Sequence, residues 1–233
     1  MIRGRFFLAG MWRLLSQGRA RSELATRLAF SKRVHQDNSF TRPDRYPRLF
    51  AAARALLSDD PGLRILSFGC AAGEEVISLQ RYFPEASIVG AELNRSLLRA
   101  CRRLPSDPRR TFIASSHQSI AAEGPYDAIF CMAVFTRRPH EIEARGLRSI
   151  ANFYPYAMFA DELRFLAGQL RPGGLMVVEH GLYLAEDALA GLPVRAVEGP
   201  GTYLAKGPRF DPLGDLIEPQ PVVSRIFRRD QAA

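Results

Sequence analysis

Short apolar runs alternate with amphipathic segments along most of this chain. The runs LRILSF, SIVGAEL, YDAIFCMAV and LMVVEH predict strands, and RRTFIAS predicts a further short one. Between them, GEEVISLQRYF, SLLRACRRL and FADELRFLAGQL place apolar residues at helical spacing, and RPGG reads as a turn. Strands that alternate with helices of this length predict a parallel sheet covered by helices on both faces.

The two ends of the chain depart from this alternation. Near the N-terminus, RLFAAARALLS predicts a helix that follows the polar, proline-containing connection HQDNSFTRPDRYP. Near the C-terminus, GTYLAKGPRFD and PVVSRIFRR read as two strands that pair antiparallel at the end of the sheet. We therefore predict a basic helical extension or cap over residues 1–60 and an α/β domain over residues 61–233.

The excess of basic over acidic residues is confined to the first segment of the chain. The net charge is +8, and residues 1–50 carry 11 Lys/Arg and 3 Asp/Glu, which is 11 − 3 = +8. The rest of the chain carries basic and acidic residues in equal numbers and is therefore neutral. An enzyme that acts on nucleic acid more often spreads basic residues over its substrate face, so a nucleic-acid substrate is not favoured.

The N-terminal stretch MIRGRFFLAGMWRLLSQGRARS contains several arginines and no acid, with apolar residues at helical spacing. Three interpretations remain open: a transit peptide, a helix that lies on an anionic membrane surface, and a helix that packs on the domain. Either Met1 or Met11 could be the true start. A secretory signal is disfavoured, because an arginine interrupts the apolar stretch and no cleavage site follows it.

The remaining composition is that of an ordinary globular protein. Cys70, Cys101 and Cys131 stand singly, without the spacing of a metal site, which indicates a reducing compartment and predicts a cytoplasmic protein without a metal centre. No apolar run approaches the roughly 20 residues that a membrane-spanning helix needs.

A turn between the first predicted strand and its helix carries the clearest chemical signal. Gly69 and Gly73 bracket the turn in FGCAAGEE, where glycine lets the backbone approach a ligand closely. Nineteen residues after Gly73, Glu92 ends the next strand, where a carboxylate can accept hydrogen bonds from both hydroxyls of a ribose. Together the two elements predict a nucleoside site.

The charge at the start of the following helix narrows the choice of ligand. Glu74 and Glu75 would repel a pyrophosphate at that helix N-terminus, which argues against a dinucleotide oxidoreductase. S-adenosylmethionine has a ribose, a sulfonium and an ammonium group and no phosphate, so we predict it as the cofactor. Without any ligand, the two carboxylates would also stabilise the helix, because negative charge at a helix N-terminus interacts favourably with the helix dipole.

The order of elements resembles that of the class I S-adenosylmethionine-dependent methyltransferases from about residue 63 to the C-terminus. The resemblance rests on ILSFGCAAGEE, IVGAELN, GPYDAIFCMAVF and LRPGGLMVVEH. The stretch GCAAGEE looks especially like the corresponding loop of the chemotaxis receptor glutamate methyltransferases. The resemblance implies a Rossmann-like, seven-stranded, mostly parallel sheet with an antiparallel C-terminal strand pair and an N-terminal helical cap.

By the same resemblance, the cofactor would contact residues at the ends of four strands. In chain order they are Phe68, Gly69, Cys70, Ala71, Gly73, Glu74, Glu92, Leu93, Asn94, Ser116, His117, Cys131, Met132 and Ala133. Many family members place an acid where Ser116 and His117 stand, and this chain has none there. Cys131, Met132 and Ala133 are also typical of strand core.

Candidates for the acceptor side are less specific. His35, Tyr154 and His180 are candidate catalytic groups, and His180 closes the fifth predicted strand. Arg45 and Tyr46 would border the acceptor pocket if the N-terminal segment folds over the cofactor, as it does in the resembling enzymes. Arg137 and Arg138 follow the fourth strand and could hold a carboxylate or phosphate, although exposed charge runs are common.

The sequence therefore predicts a methyltransferase that acts on an oxygen or nitrogen atom, with a small molecule as its partner. The chain has CMAVFTRRP where many nitrogen methyltransferases carry an Asn/Asp-Pro-Pro-aromatic motif, so methylation of nucleobase amines is disfavoured. Two alternatives stay open: an RNA methyltransferase, and a non-catalytic nucleotide-binding or regulatory module with the same fold.

Overall fold

A computed structural model describes Gly18 and residues 21–31, 33–36, 41–57, 60–197, 203–204 and 207–231. Residues 1–17 lie outside the described residues. The predictions of a transit peptide or a membrane-surface helix concern that stretch and therefore also fall outside them. No helix in the described part of the chain combines the length and apolar character needed to cross a membrane.

The described elements alternate between helix and strand for most of the chain. The helices are α1 (21–29), α2 (Pro47–Leu57), α3 (Glu74–Tyr82), α4 (Arg95–Cys101), α5 (His117–Glu123), α6 (Pro139–Arg145), α7 (Tyr156–Gly168) and α8 (Ala185–Leu189). The strands are β1 (Arg64–Phe68), β2 (Ser87–Glu92), β3 (Arg110–Ala114), β4 (Tyr126–Met132), β5 (Leu170–Glu179), β6 (Val194–Ala196), β7 (Tyr203–Leu204), β8 (Val222–Val223) and β9 (Ile226–Arg229).

Seven strands form one sheet in the order β3-β2-β1-β4-β5-β9-β6. The five strands from β3 to β5 are parallel, and β9 runs antiparallel to both of its neighbours. The predicted Rossmann-like sheet with an antiparallel C-terminal pair is confirmed. The strand order reverses between β1 and β4, and in such sheets ligands bind at the carboxyl ends of the strands beside this point.

The antiparallel pair differs from the prediction in one of its partners. The segment PVVSRIFRR supplies β9 as predicted, but its partner is β6, because Val194 faces Arg229 and Ala196 faces Phe227. Part of GTYLAKGPRFD forms β7, which pairs antiparallel with β8 of PVVSRIFRR as predicted, but in a separate two-stranded ladder. The predicted RPGG turn lies within β5, where its pairing with β4 shifts register.

Successive residues of the central strands pack on opposite faces of the sheet. Ile65 and Phe130 belong to a buried cluster that includes Phe50 of α2, whereas Leu66 and Ile129 belong to a second cluster. Both faces of the sheet are therefore apolar, which is why the strands read as continuous apolar runs. The helices cover both faces and leave the carboxyl edge of the strands to the connecting loops.

Candidate functional site

The loop after β1 is shaped by backbone conformations that favour glycine. Gly69 has φ +77° and Gly73 has φ +97°, and Ala71 between them also has a positive φ of +50°. A Cβ atom on Gly69 would lie 2.7 Å from a methyl carbon of Val134. The amides of Gly69 and Cys70 both donate to the carbonyl of Ala91, at 2.9 and 3.1 Å, so the loop is held against the end of β2.

Glu92, at the end of β2, is fixed by two backbone amides. The Ala71 amide donates to Oε2 at 2.9 Å and the Asn94 amide donates to Oε1 at 2.7 Å, and the side chain is buried. Burial raises the pKa of Glu92 to about 7, although these amides oppose the shift. A carboxylate has about four acceptor sites, so two remain for hydroxyl groups of a ligand.

A cavity opens between this loop and the N-terminal segment. Its empty volume is about 740 Å³, a figure that includes the open solvent at its mouth. The sheet and its loops contribute Phe68, Gly69, Ala71, Glu92, Leu93, Asn94, Leu97, Ser115 and Val134 to its lining. The N-terminal segment contributes residues such as Thr26, Arg27, Val34, His35 and Gln36.

Two hydrogen bonds tie the N-terminal segment to the ends of β2 and β3. The Ser22 hydroxyl donates to Oδ1 of Asn94 at 2.7 Å, and the guanidinium of Arg33 donates to the carbonyl of Ser115. Asn94 also caps α4, because the same oxygen accepts from the amides of Ser96 and Leu97 at 2.9 and 3.3 Å. The segment therefore lies over the cavity as a cap.

His35 and Tyr154, two of the candidate catalytic residues, contact each other. His35 Nδ1 lies 3.0 Å from the Tyr154 hydroxyl oxygen, and Nε2 lies 3.9 Å from a carboxylate oxygen of Glu162. Tyr154 is fully buried and does not line the cavity. A direct contact between Tyr154 and a ligand is therefore not supported. His35 lines the cavity, and its Nδ1 contact with Tyr154 also joins the N-terminal segment to the core.

Glu162 of α7 was not identified from the sequence. It is buried, lines the 740 Å³ cavity, and its Oε2 lies 3.2 Å from Nε2 of His117. Burial alone would raise the pKa of Glu162, but the nearby His35 and the hydrogen-bonded His117 more than offset this and lower it. Glu162 is an acid on an amphipathic helix, and nothing close to it in the sequence marks it as functional, because both of its histidine neighbours are distant along the chain.

The residues predicted to meet an adenine at the end of β3 have other contacts. The Ser116 hydroxyl caps α5 by accepting from the Ser119 amide at 3.0 Å. The His117 ring stacks on Phe165 with ring centroids 3.7 Å apart. Neither residue lines the 740 Å³ cavity, and the neighbouring Ser115 does.

A smaller cavity adjoins the other side of the loop after β1. It has an empty volume of about 440 Å³ and is lined by Gln36, Thr41, Arg42, Arg45, Tyr46, Phe50, Gly69, Cys70, Ala71, Glu75, Ser78 and Met132. We call it the inner cavity. Because Gly69 and Ala71 line both cavities, the loop lies between them.

The acid that faces the inner cavity is Glu75, one residue beyond the predicted Glu74. The buried Ser67 hydroxyl donates to Oε1 of Glu75 at 2.8 Å. Burial raises the pKa of Glu75 to about 8, although the Ser67 hydrogen bond and the charge of Arg45 oppose the shift. Glu74 lines neither cavity, and its Oε2 is buried without a hydrogen-bond partner among the described residues.

A wide cleft lies beside the end of β5, with an empty volume of about 1170 Å³ that includes open solvent. Its lining residues are Arg42, Arg45, Tyr46, Pro47, Arg48, Leu49, Glu179, His180 and Arg225, and we call it the arginine cleft. The His180 ring lies 5.8 Å from the Tyr46 ring. The pKa of His180 is lowered by burial; Glu179 opposes this, and nearby guanidinium groups including that of Arg45 add to it.

The remaining predicted residues lie in the core or contact other side chains of the protein. Cys131 is fully buried in the core and Ala133 is almost so, whereas Met132 reaches the inner cavity. The Arg137 guanidinium donates to the sulfur of Met158 at 3.6 Å, and Arg138 lies 4.9 Å above the Phe153 ring. The predicted anion clamp of Arg137 and Arg138 is therefore not supported, since neither lines the two cavities or the arginine cleft.

The sequence profile of a methyltransferase domain family matches residues 41–200, more than half of the chain. A trans-aconitate 2-methyltransferase from Rhodopseudomonas palustris is 29% identical over 132 residues, which are 54% of this chain and 43% of that protein.

Two solved structures are also similar. One is an S-adenosylmethionine-bound amino pentose methyltransferase from Micromonospora echinaspora, with 19% identity, a TM-score of 0.42, and coverage of 69% of this chain and 56% of that chain. The other is a methyltransferase from Thiobacillus denitrificans bound to S-adenosylhomocysteine, with 22% identity, a TM-score of 0.39, and coverage of 66% and 52%. The match thus spans about half the length of each of these relatives.

Proposed function

Because this chain belongs to the methyltransferase domain family, we propose that it is an enzyme that transfers a methyl group to an oxygen or nitrogen atom of a small molecule. The prediction of a class I methyltransferase with S-adenosylmethionine as its cofactor is confirmed at the level of the family. The closer motif likeness to chemotaxis receptor methyltransferases stays a prediction.

The observation that carries the proposal is the placement of Glu92. Its buried carboxylate lies in the 740 Å³ cavity, which we call the cofactor cavity, and both oxygens are fixed by the amides of Ala71 and Asn94. A ribose would use the two remaining acceptor sites, and Leu93 and Ser115 would flank the base. The carboxylate would repel a phosphate at the same position, so a nucleoside without phosphate fits the site better.

The inner cavity suits the amino-acid end of the cofactor. Glu75 lines it beside the loop of Gly69, Cys70 and Ala71, and a cationic ammonium group would favour the ionised form of this carboxylate. Arg45, which also lines this cavity, would face a carboxylate. These assignments give Glu75 the role that the sequence alone assigned to Glu74.

S-adenosylmethionine supplies an electrophilic methyl group on a positively charged sulfur. The chain then has to orient the acceptor, exclude water, and accept a proton if the acceptor atom carries one. His180 is the candidate for the last task, since it lines the arginine cleft and its lowered pKa leaves the imidazole neutral at neutral pH. His35 and Tyr154 would instead hold the cap in place.

We retain the division into a cap over residues 1–60 and a catalytic domain over residues 61–233. The contacts of Ser22 with Asn94 and of Arg33 with Ser115 support a cap that closes over the cofactor. A small-molecule acceptor is supported by the relative whose name gives trans-aconitate as its substrate. The RNA alternative rests only on the charge of residues 1–50.

The test is calorimetric titration of S-adenosylhomocysteine into the wild type, the Glu92→Ala variant and a Glu85→Ala control. Glu85 is exposed and lies before β2, outside the cofactor and inner cavities. We expect Glu92→Ala to weaken binding tenfold or more, about 1.4 kcal/mol, and Glu85→Ala to leave it unchanged. Thermal unfolding identifies a variant that has lost its fold. Absence of binding by the folded wild type would overturn the proposal and favour a non-catalytic module.

A further inference from the structure

The arginine cleft carries more positive charge than its own acids neutralise. Arg42, Arg45, Arg48 and Arg225 line it, whereas Glu179 is the one acid among its described lining residues. Arg225 Nε lies 2.5 Å from Oε2 of Glu179, and both side chains are buried. This internal pair accounts for Glu179, so the cleft has no second carboxylate for Arg42 and Arg48 among its described lining residues.

The exposed arginines of the cleft have no acid of their own in the described part of the chain. The structure gives Arg42 and Arg48 no hydrogen bond or ion pair with any described residue, and both side chains are exposed. Some other surface arginines pair with neighbouring acids, as Arg148 does with Glu218 at 2.8 Å. Two guanidinium groups without a described partner at the mouth of one cleft form a site suited to an anion.

Tyr46 adds a hydrogen-bond donor deeper in the cleft. Its hydroxyl oxygen is buried and has no hydrogen-bond partner among the described residues, although a buried hydroxyl normally has one. Burial raises the pKa of Tyr46 far above its usual value, so the hydroxyl keeps its proton and can donate it to an anionic oxygen. The neutral imidazole of His180 lies beside this ring.

The arginine cleft adjoins the inner cavity. Arg42, Arg45 and Tyr46 line both spaces, and the inner cavity extends to Cys70 and to Met132 at the end of β4. A molecule held in the cleft would therefore lie next to the proposed position of the amino-acid end of the cofactor. Arg48 lines the cleft but not the inner cavity. A substitution of Arg48 therefore tests binding of the acceptor without removing a residue that lines the inner cavity.

We propose that the arginine cleft binds the methyl acceptor through anionic oxygen groups, so that the substrate is a small organic acid or a phosphate ester. Arg42 and Arg48 pair with an anionic group, and the Tyr46 hydroxyl donates a hydrogen bond to the same molecule. This inference rests on the proposed methyltransferase function, because it assigns a substrate class to that site.

The test uses citrate and inorganic phosphate as probes, titrated by calorimetry into the protein with and without saturating S-adenosylhomocysteine. We expect at least one probe to bind and Arg48→Gln to weaken that binding tenfold or more, about 1.4 kcal/mol. The affinity for S-adenosylhomocysteine should change less than twofold. Arg54→Gln is the matched control, because Arg54 lies on the same helix and outside the cleft and both cavities.

The outcomes separate the two proposals. Citrate binding alone would assign the carboxylate class, and stronger phosphate binding would assign the phosphate esters. Binding of S-adenosylhomocysteine without binding of either probe would overturn the anionic acceptor and leave the methyltransferase intact. Equal losses of probe affinity in Arg48→Gln and Arg54→Gln would also overturn the anionic acceptor, because the probe would then respond to the net positive charge and not to a specific site. Tighter binding of single-stranded RNA than of either probe would have the same consequence and favour a nucleic-acid substrate.

Discussion

The cofactor cavity and the arginine cleft lie along the same edge of the sheet, but their polar groups are held in different ways. In the cofactor cavity, Glu92 is buried and fixed by two backbone amides, and Asn94 caps a helix. In the arginine cleft, Arg42 and Arg48 are long, exposed side chains on a loop and at the start of a helix. Backbone-fixed groups suit a ligand of constant shape, whereas exposed side chains can be exchanged to suit another acceptor.

The largest effect should come from breaking the backbone geometry on the cofactor side. Gly69→Val places a branched side chain at φ +77°, with its Cβ 2.7 Å from Val134. We expect a loss of about 2–4 kcal/mol in the free energy of unfolding and loss of S-adenosylhomocysteine binding. Chemical denaturation and calorimetry measure these two quantities.

Gly168→Ala is the control for that substitution. A Cβ atom on Gly168, at the end of α7, meets no atom within 4 Å, and its φ is not positive. We expect a gain of about 0.5–1 kcal/mol in the free energy of unfolding with unchanged cofactor binding. A Gly69→Val variant that keeps both its stability and its binding would contradict the proposed close approach of the loop to the cofactor.

Loss of His180 should affect the acceptor side alone. We expect His180→Ala to lower kcat/KM for methyl transfer tenfold or more, because the acceptor loses a base or a hydrogen-bond partner. The affinity for S-adenosylhomocysteine should stay within twofold of the wild type, since His180 lines the arginine cleft and not the cofactor cavity. A parallel loss of cofactor affinity would show that the two regions are not separable.

The pH dependence of cofactor binding should report the buried acids on the cofactor side. The pKa of Glu92 is raised to about 7, so this carboxyl becomes protonated below that pH and can no longer accept two hydroxyl hydrogen bonds. We expect the affinity for S-adenosylhomocysteine to fall up to tenfold per pH unit below about 7. Calorimetry between about pH 5.5 and 8.5 measures this slope. Glu92→Gln should reduce it and leave the part that comes from Glu75, whose pKa is raised to about 8.

The stability of the ligand-free protein should change with pH in the opposite direction. The pKa of Glu92 is raised from 4.5 to about 7, and that of Glu75 from 4.5 to about 8. Between about pH 4.5 and 8 the folded state therefore binds more protons than the unfolded state. Their contribution to stability is therefore fully present below about pH 4.5 and is lost as the pH rises toward 8. Urea denaturation of Glu75→Gln across this range should show a weaker decline than that of the wild type.

The smallest effect should come from the buried contact below the cap. Tyr154→Phe removes the hydroxyl that lies 3.0 Å from His35 and leaves the ring packing unchanged. We expect a loss of about 1 kcal/mol in the free energy of unfolding. That loss of stability, measured by chemical denaturation, would support a structural role for Tyr154 if kcat changes less than twofold. A hundredfold loss of kcat would instead identify Tyr154 as a catalytic residue.

The sequence by itself determined the sheet and the position of the loop after β1. Glycine spacing, the apolar strand runs and the acid at the end of β2 are local signals, because each depends on residues that are close along the chain. In the structure the loop of Gly69 and Ala71 lies against the end of β2, where the Ala71 amide donates to Glu92. The strand that pairs with β9 has no such local signal. The two predicted C-terminal segments pair antiparallel as β7 and β8, whereas β9 pairs with β6 in the main sheet.

Only the tertiary structure decided which side chains share each cavity. Glu162 lies between His35 and His117 because α7, the N-terminal segment and the start of α5 meet above the sheet. Arg48 faces the same cleft as His180 and Arg225 because α2 packs near the end of β5 and the start of β9. Such contacts join residues that are distant along the chain, and no pattern within a single helix or strand records which distant segment will pack against it.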